Sequence, residues 1–145
     1  MACIVAALCA LPILGTVRAA DVQRSEKPNI IIILADDLGY GELGCYGGKI
    51  ATPHLDRLAQ QGQRWTQFYA NSTVCSPTRA ALLTGRYPQR AGVNGALVQP
   101  IQDNDGLAPE EWTLAEALRE AGYRTGLIGK WHLGSSAARH PLRQG

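Results

Sequence analysis

The stretch KPNIIIILADD limits the fold more than any other part of this 145-residue chain. Ile30 to Leu34 is apolar at every position and β-branched at four of five, with Pro28 before it and Asp36-Asp37 behind it. A strand with one wet face alternates polar and apolar residues. An unbroken run therefore predicts a strand covered on both faces, as in the parallel sheet of an α/β fold. Parallel strands need crossover connections, usually helices, and the rest of the chain alternates accordingly.

Beyond the run, five glycines at Gly39, Gly41, Gly44, Gly47 and Gly48 predict a loop. Thr52 and Pro53 suit an N-cap and first helical position, Leu55, Leu58 and Ala59 share one apolar face, and Gly62 closes the helix. Arg64 to Tyr69, RWTQFY, alternates and is aromatic-rich, which predicts a short strand. Pro77 fits the first turn of a second helix with its body at Thr78 to Leu83 and its stop at Gly85, so Cys75 falls at a helix N-terminus. A long loop follows from Tyr87 to Pro109. Thr113 with Glu116 then reads as a capping box before Leu114, Ala117 and Leu118, with Gly122 as the stop. Tyr123 to Ile128 predicts a last strand that runs into Lys130 and His132. Strand, helix, strand, helix, helix, strand is the order of an α/β sheet, whose ligands gather beyond the carboxyl ends of the strands.

At this length one domain is the ceiling. A formal charge of +2 with no basic stripe gives no case for nucleic acid. The opening MACIVAALCALPILGTVRAA is apolar from Ala2 to Val17 apart from Thr16, short for a membrane span of about 20 apolar residues. Its end, Val17-Arg18-Ala19, suits signal-peptidase cleavage after Ala19. The expected organisation is a signal peptide over residues 1–19 and a domain segment over 20–145, exported to a periplasmic, secreted or lysosomal compartment, with no membrane span after cleavage. Cys45 and Cys75 would remain, and in an oxidising compartment they could pair.

Three features fall where strands end or helices begin. Adjacent carboxylates at Asp36 and Asp37 suit a hard divalent cation, or a solvated turn. Cys75 and Arg79 stand four apart, one turn from each other on a helix. Free amides and the dipole at a helix N-terminus attract anions, a guanidinium adds a bidentate partner, and a thiol there is acidic. Lys130 and His132 flank Trp131, so in an extended chain both point the same way, one a fixed cation and the other able to donate a proton. A cysteine-phosphatase loop would need Arg six residues after Cys, usually with His just before it; Ala81 and Val74 occupy those places. Asn71-Ser72-Thr73 matches a glycosylation sequon but, so close to Cys75, reads better as a chance match or a structural turn.

Taken together, the segments ADDLGYGELGCYGG, TPHLDRLAQQG, CSPTRAALLTGR and GKWHLG resemble, in order, the conserved blocks of the type I, formylglycine-dependent sulfatases, arylsulfatase-like members above all. HPLRQG at the end also resembles a family segment, one that normally continues further. The resemblance implies the first part of an alkaline-phosphatase-like α/β sandwich, with a mainly parallel central sheet flanked by helices. It implies that Cys75 is converted to formylglycine by the formylglycine-generating enzyme, which reads Pro77 and Arg79, and that residue 75 then attacks a sulfate ester. Asp36, Asp37 and residue 75 would bind calcium, with magnesium as the alternative, while Lys130 and His132 would hold the sulfate and the departing oxygen. By the same resemblance, further Asp and Asn metal ligands, a second His and a second Lys belong to later regions, and His140 does not replace that second His. The expectation is a sulfuric ester hydrolase segment, inactive or nearly so as this chain alone. A phosphonate or phosphate monoester hydrolase of the same superfamily, or a non-catalytic fragment, are the alternatives.

Overall fold

Helix formation is dictated here by punctuation more than by long apolar faces. The computed structural model describes residues 27–102 and 104–145, so the expected signal peptide lies outside the described residues. Backbone contacts divide the chain into Met1–Leu34 and Ala35–Gly145.

In the first unit, the described residues 27–34 carry no regular secondary structure. Exposure along the apolar run alternates, from 51% at Ile30 to 83% at Ile31, 51% at Ile32, 81% at Ile33 and 44% at Leu34. That is the period of two expected of an extended chain. No strand ladder forms among the described residues, at Ile30–Leu34 or at the segments 64–69 and 123–128. The three segments read as strands from the sequence therefore stand as extended or irregular chain here, without the ladder a sheet requires. Propensity selects an extended backbone, but a strand exists only when a neighbour accepts and donates its hydrogen bonds.

In the second unit, helix α1 spans Pro53–Gln61. Thr52 precedes it but makes no side-chain cap; its hydroxyl accepts from the Gly44 amide at 2.9 Å and donates to Asp56 Oδ1 at 2.9 Å. Asp56 Oδ1 also accepts from the Cys45 amide at 2.7 Å. The glycine-rich loop, which makes a 3₁₀ turn over Gly44–Tyr46, is so pinned to the first turn of α1. A Cβ at Gly44 would stand 2.5 Å from Asp56 Oδ2, so any larger residue there would have to displace the carboxylate that pins the loop.

Helix α2 spans Cys75–Thr84 and ends at Gly85, left-handed with φ 65°, whose amide donates to the Ala81 carbonyl. The turn before it is held by Thr78, whose hydroxyl donates to the Ser72 carbonyl at 2.9 Å. The sequon residues 71–73 belong to that turn. Helix α3 spans Leu114–Glu120 behind the expected capping box of Thr113 and Glu116. Thr113 is buried, and its hydroxyl also lies 2.6 Å from the Gln144 carbonyl, tying residues at the end of the chain to the start of α3.

Ala80 of α2 packs with Ala91, Val93, Leu107 and Leu133, and Leu83 and Trp131 lean on this core. The Leu107 amide donates to the Leu133 carbonyl at 3.0 Å. Beside it, Gly106 sits at φ 111°, with the Leu133 oxygen 2.3 Å from where a Cβ would be. The segment bearing Lys130 and His132 is anchored to the core in this way, and Trp131 adds a bond from its indole to the Arg139 carbonyl at 3.0 Å.

Candidate active site

Asp36 is the point on which distant parts of the sequence meet. Its Oδ2 accepts from Lys130 Nζ at 2.9 Å and its Oδ1 from an Arg79 amino group at 3.0 Å. A second Arg79 amino group donates to the Lys130 carbonyl at 2.7 Å. The Arg79 side chain is 12% exposed, so its charge needs these partners, while the Asp36 side chain is 48% exposed and open to solvent. Lys130 first and Arg79 second, as hydrogen-bond donors, hold the Asp36 carboxyl below its ordinary value.

Arg79 stands one turn along α2 from Cys75, the first residue of that helix. Cys75 and Cys45 are both free thiols, which corrects the disulfide alternative. Asp37, at φ 58°, lies in the left-handed region, as does His132 at φ 57°. Such backbone costs roughly 1–3 kcal/mol for a residue other than glycine, and is held only where surrounding contacts determine it.

Lys130 and His132 do not act as one face. The left-handed turn at His132 sends its ring to a different partner from the one Lys130 takes: Nε2 lies 2.7 Å from the Leu97 carbonyl. A carbonyl only accepts, so Nε2 carries the proton. Nδ1 is buried without a hydrogen-bond partner. Leu97 is also held from its other side, its amide donating to Ser76 Oγ at 3.1 Å. No sequence signal marks Leu97, because it acts through its main chain within an aperiodic loop. His140 is spent locally, its Nδ1 accepting from the Leu142 amide at 3.3 Å.

The donors at Asp36 and Asp37 are of the type a hard cation takes, yet among the described residues no group of three or more His, Cys, Asp or Glu side chains gathers to hold a metal. Both oxygens of Asp36 already face cationic nitrogens. The expected set of Asp36, Asp37 and residue 75 does not amount to a calcium shell of six to eight oxygens. An open cavity of about 440 Å³, lined by Tyr40, Tyr46, Trp65 and Phe68 among others, includes none of the six expected site residues. The polar cluster, not this cavity, is where the chemistry-bearing groups converge.

Residues 28–141 match the family model described as Sulfatase. The chain belongs to the sulfatase family. It is 50% identical over 129 residues to a steryl-sulfatase of Mus musculus, covering 81% of this chain and 21% of that protein. Arylsulfatase A of Homo sapiens is 52% identical over 117 residues, covering 80% of this chain and 23% of its own length. An N-acetylgalactosamine-6-O-sulfatase of Bacteroides thetaiotaomicron is 50% identical over 122 residues, covering 77% and 22%. The chain thus spans between a fifth and a quarter of these sulfatases. Among solved structures, the crystal structure of Ps i-CgsB superposes with a TM-score of 0.79 at 41% identity, over 83% of this chain and 27% of that one. A likeness of this closeness gives the sulfatase-family chain an α/β sulfatase fold, even though no ladder is formed among its described residues.

Proposed function

We propose that this chain carries the nucleophile-bearing part of a sulfuric ester hydrolase, with Cys75 as the precursor of a formylglycine nucleophile. The observation that carries the proposal is the Asp36 cluster, which brings Lys130 and Arg79 together across 94 and 43 positions of sequence, with Arg79 one helical turn from residue 75. A hydrated formylglycine supplies one oxygen to attack sulfur and a second to expel sulfate afterwards; an unmodified thiol lacks that second oxygen.

The chain's own residues then have separable tasks. Arg79, fixed by Asp36 and the Lys130 carbonyl, steadies the oxygens at residue 75. Lys130 offers a point charge to a sulfate oxygen. His132, with its proton committed to Leu97 through Nε2, keeps Nδ1 to take a proton and return it to the departing oxygen. Asp36 and Asp37 would contribute to a calcium or magnesium site completed by oxygens beyond those gathered here. In the same reading, residues 20–145 are the first part of an alkaline-phosphatase-like sandwich with a mainly parallel sheet. Residues 1–19 direct export and leave on cleavage after Ala19, and maturation needs the formylglycine-generating enzyme. Among the described residues no helix is long and apolar enough to cross a membrane.

A chimera that completes the domain with the remainder of arylsulfatase A, co-produced with the maturation enzyme, tests this reading. Chromogenic aryl sulfate should turn over, and Cys75→Ala should abolish it. Preferential turnover of an aryl phosphonate would support the other superfamily chemistry, and no turnover from a chimera modified at residue 75 would overturn the proposal.

A further inference from the structure

We infer that Ser76, the residue beside Cys75, is a positioning residue for His132 and acts through the main chain of Leu97. Ser76 is fully buried on α2, yet its hydroxyl is used: it accepts the Leu97 amide at 3.1 Å. The carbonyl of the same Leu97 accepts from His132 Nε2 at 2.7 Å. Both polar groups flanking the Leu97 Cα are therefore held, one by the helix that starts at Cys75 and the other by the ring. Leu97 lies in a segment with no helix or strand of its own, so these two bonds take the place of a ladder in holding its carbonyl.

The consequence falls on the imidazole. A carbonyl 2.7 Å from Nε2 selects the tautomer protonated there, and leaves the buried, unpartnered Nδ1 as the lone-pair nitrogen. His132 holds left-handed backbone at φ 57°, which a β-carbon-bearing residue adopts only when its surroundings require it. On one side those surroundings are the Leu107–Leu133 bond and on the other the Ser76–Leu97 link. The hydroxyl at position 76 thereby couples the orientation of the base to the helix carrying the nucleophile. An apolar residue there would leave the Leu97 amide buried or loose and release the carbonyl that chooses the tautomer.

That His132 works as the proton carrier rests on the proposed function, but its tautomer does not. The test is therefore made on the unmodified 145-residue chain, where neither turnover nor formylglycine is needed. Long-range nitrogen–proton NMR of the three histidine rings, taken at alkaline pH, should show His132 as the Nε2–H form, with His54 and His140 as internal references. In Ser76→Ala, the Leu97 amide should exchange roughly tenfold faster, as expected for loss of one hydrogen bond. His132 should become a mixture of tautomers while His54 is unmoved. Ser76→Thr, which keeps the hydroxyl, should restore both signals. If Ser76→Ala does not fold, Ser76→Cys, close in shape with a weak acceptor, is read in the same way. A wild-type His132 protonated on Nδ1, or one that stays wholly Nε2–H in the variant lacking the hydroxyl, would overturn the inference. Either result leaves the assignment of Cys75 standing, since that assignment is read at residue 75.

Discussion

Asp36 carries two cations on one exposed carboxylate, and its titration is the most direct probe of the cluster. Its carboxyl is held below the ordinary value because Lys130, then Arg79, donates to the charged form. A depressed acid contributes stability that is present above its unfolded pKa and lost as pH falls through its lower folded pKa. In the metal-free chain, the contacts of Lys130 and Arg79 with Asp36 should therefore persist at neutral and mildly acidic pH and dissolve below the usual carboxylate range. Lys130→Met should raise the Asp36 pKa more than Arg79→Met, as read by carboxyl-carbon NMR; equal titration in both variants and wild type would refute the cluster. The identities of these residues are legible in the sequence through the resemblance of CSPTR and GKWHLG to sulfatase segments. Their partners are not. Nothing local to Lys130 names Asp36, and the turn of His132 away from Lys130 depends on the Leu97 carbonyl, supplied by a loop without pattern.

The helices answer to local signals, and so they were readable. Pro53, the Thr113–Glu116 box and the left-handed Gly85 each act within one turn of their own element. Thr113→Ala should destabilise the second unit by about 1–2 kcal/mol in urea unfolding, the range for a lost N-cap, with the end of the chain released from α3. Gly106→Ala should cost more than about 1 kcal/mol, since it needs positive φ and sets a Cβ against the Leu133 oxygen. A wild-type midpoint in Gly106→Ala would show that the Leu107–Leu133 bond does not anchor the site segment. Strands fared differently because pairing is non-local. An all-apolar run states that both faces want cover without stating by what.

Across the whole molecule, the buried apolar set of the described residues is small, while Ile31, Ile33, Trp65, Phe68, Tyr69 and Ile128 are all more than half exposed. Surfaces of this kind favour association. The isolated 145-residue chain should bind a hydrophobic dye strongly and sediment as a concentration-dependent oligomer, and a dye-silent monomer would contradict that. The matched part of this chain covers 21% to 23% of the length of the sulfatases it resembles. Little aryl-sulfate turnover is accordingly expected from the chain by itself. The central claim concerns residue 75 and does not depend on turnover. The chain produced together with the formylglycine-generating enzyme should yield a Cys75 peptide about 18 Da lighter than the unmodified one, sulfur and two hydrogens having been exchanged for one oxygen. An unmodified, alkylatable thiol at Cys75 under those conditions would contradict the account.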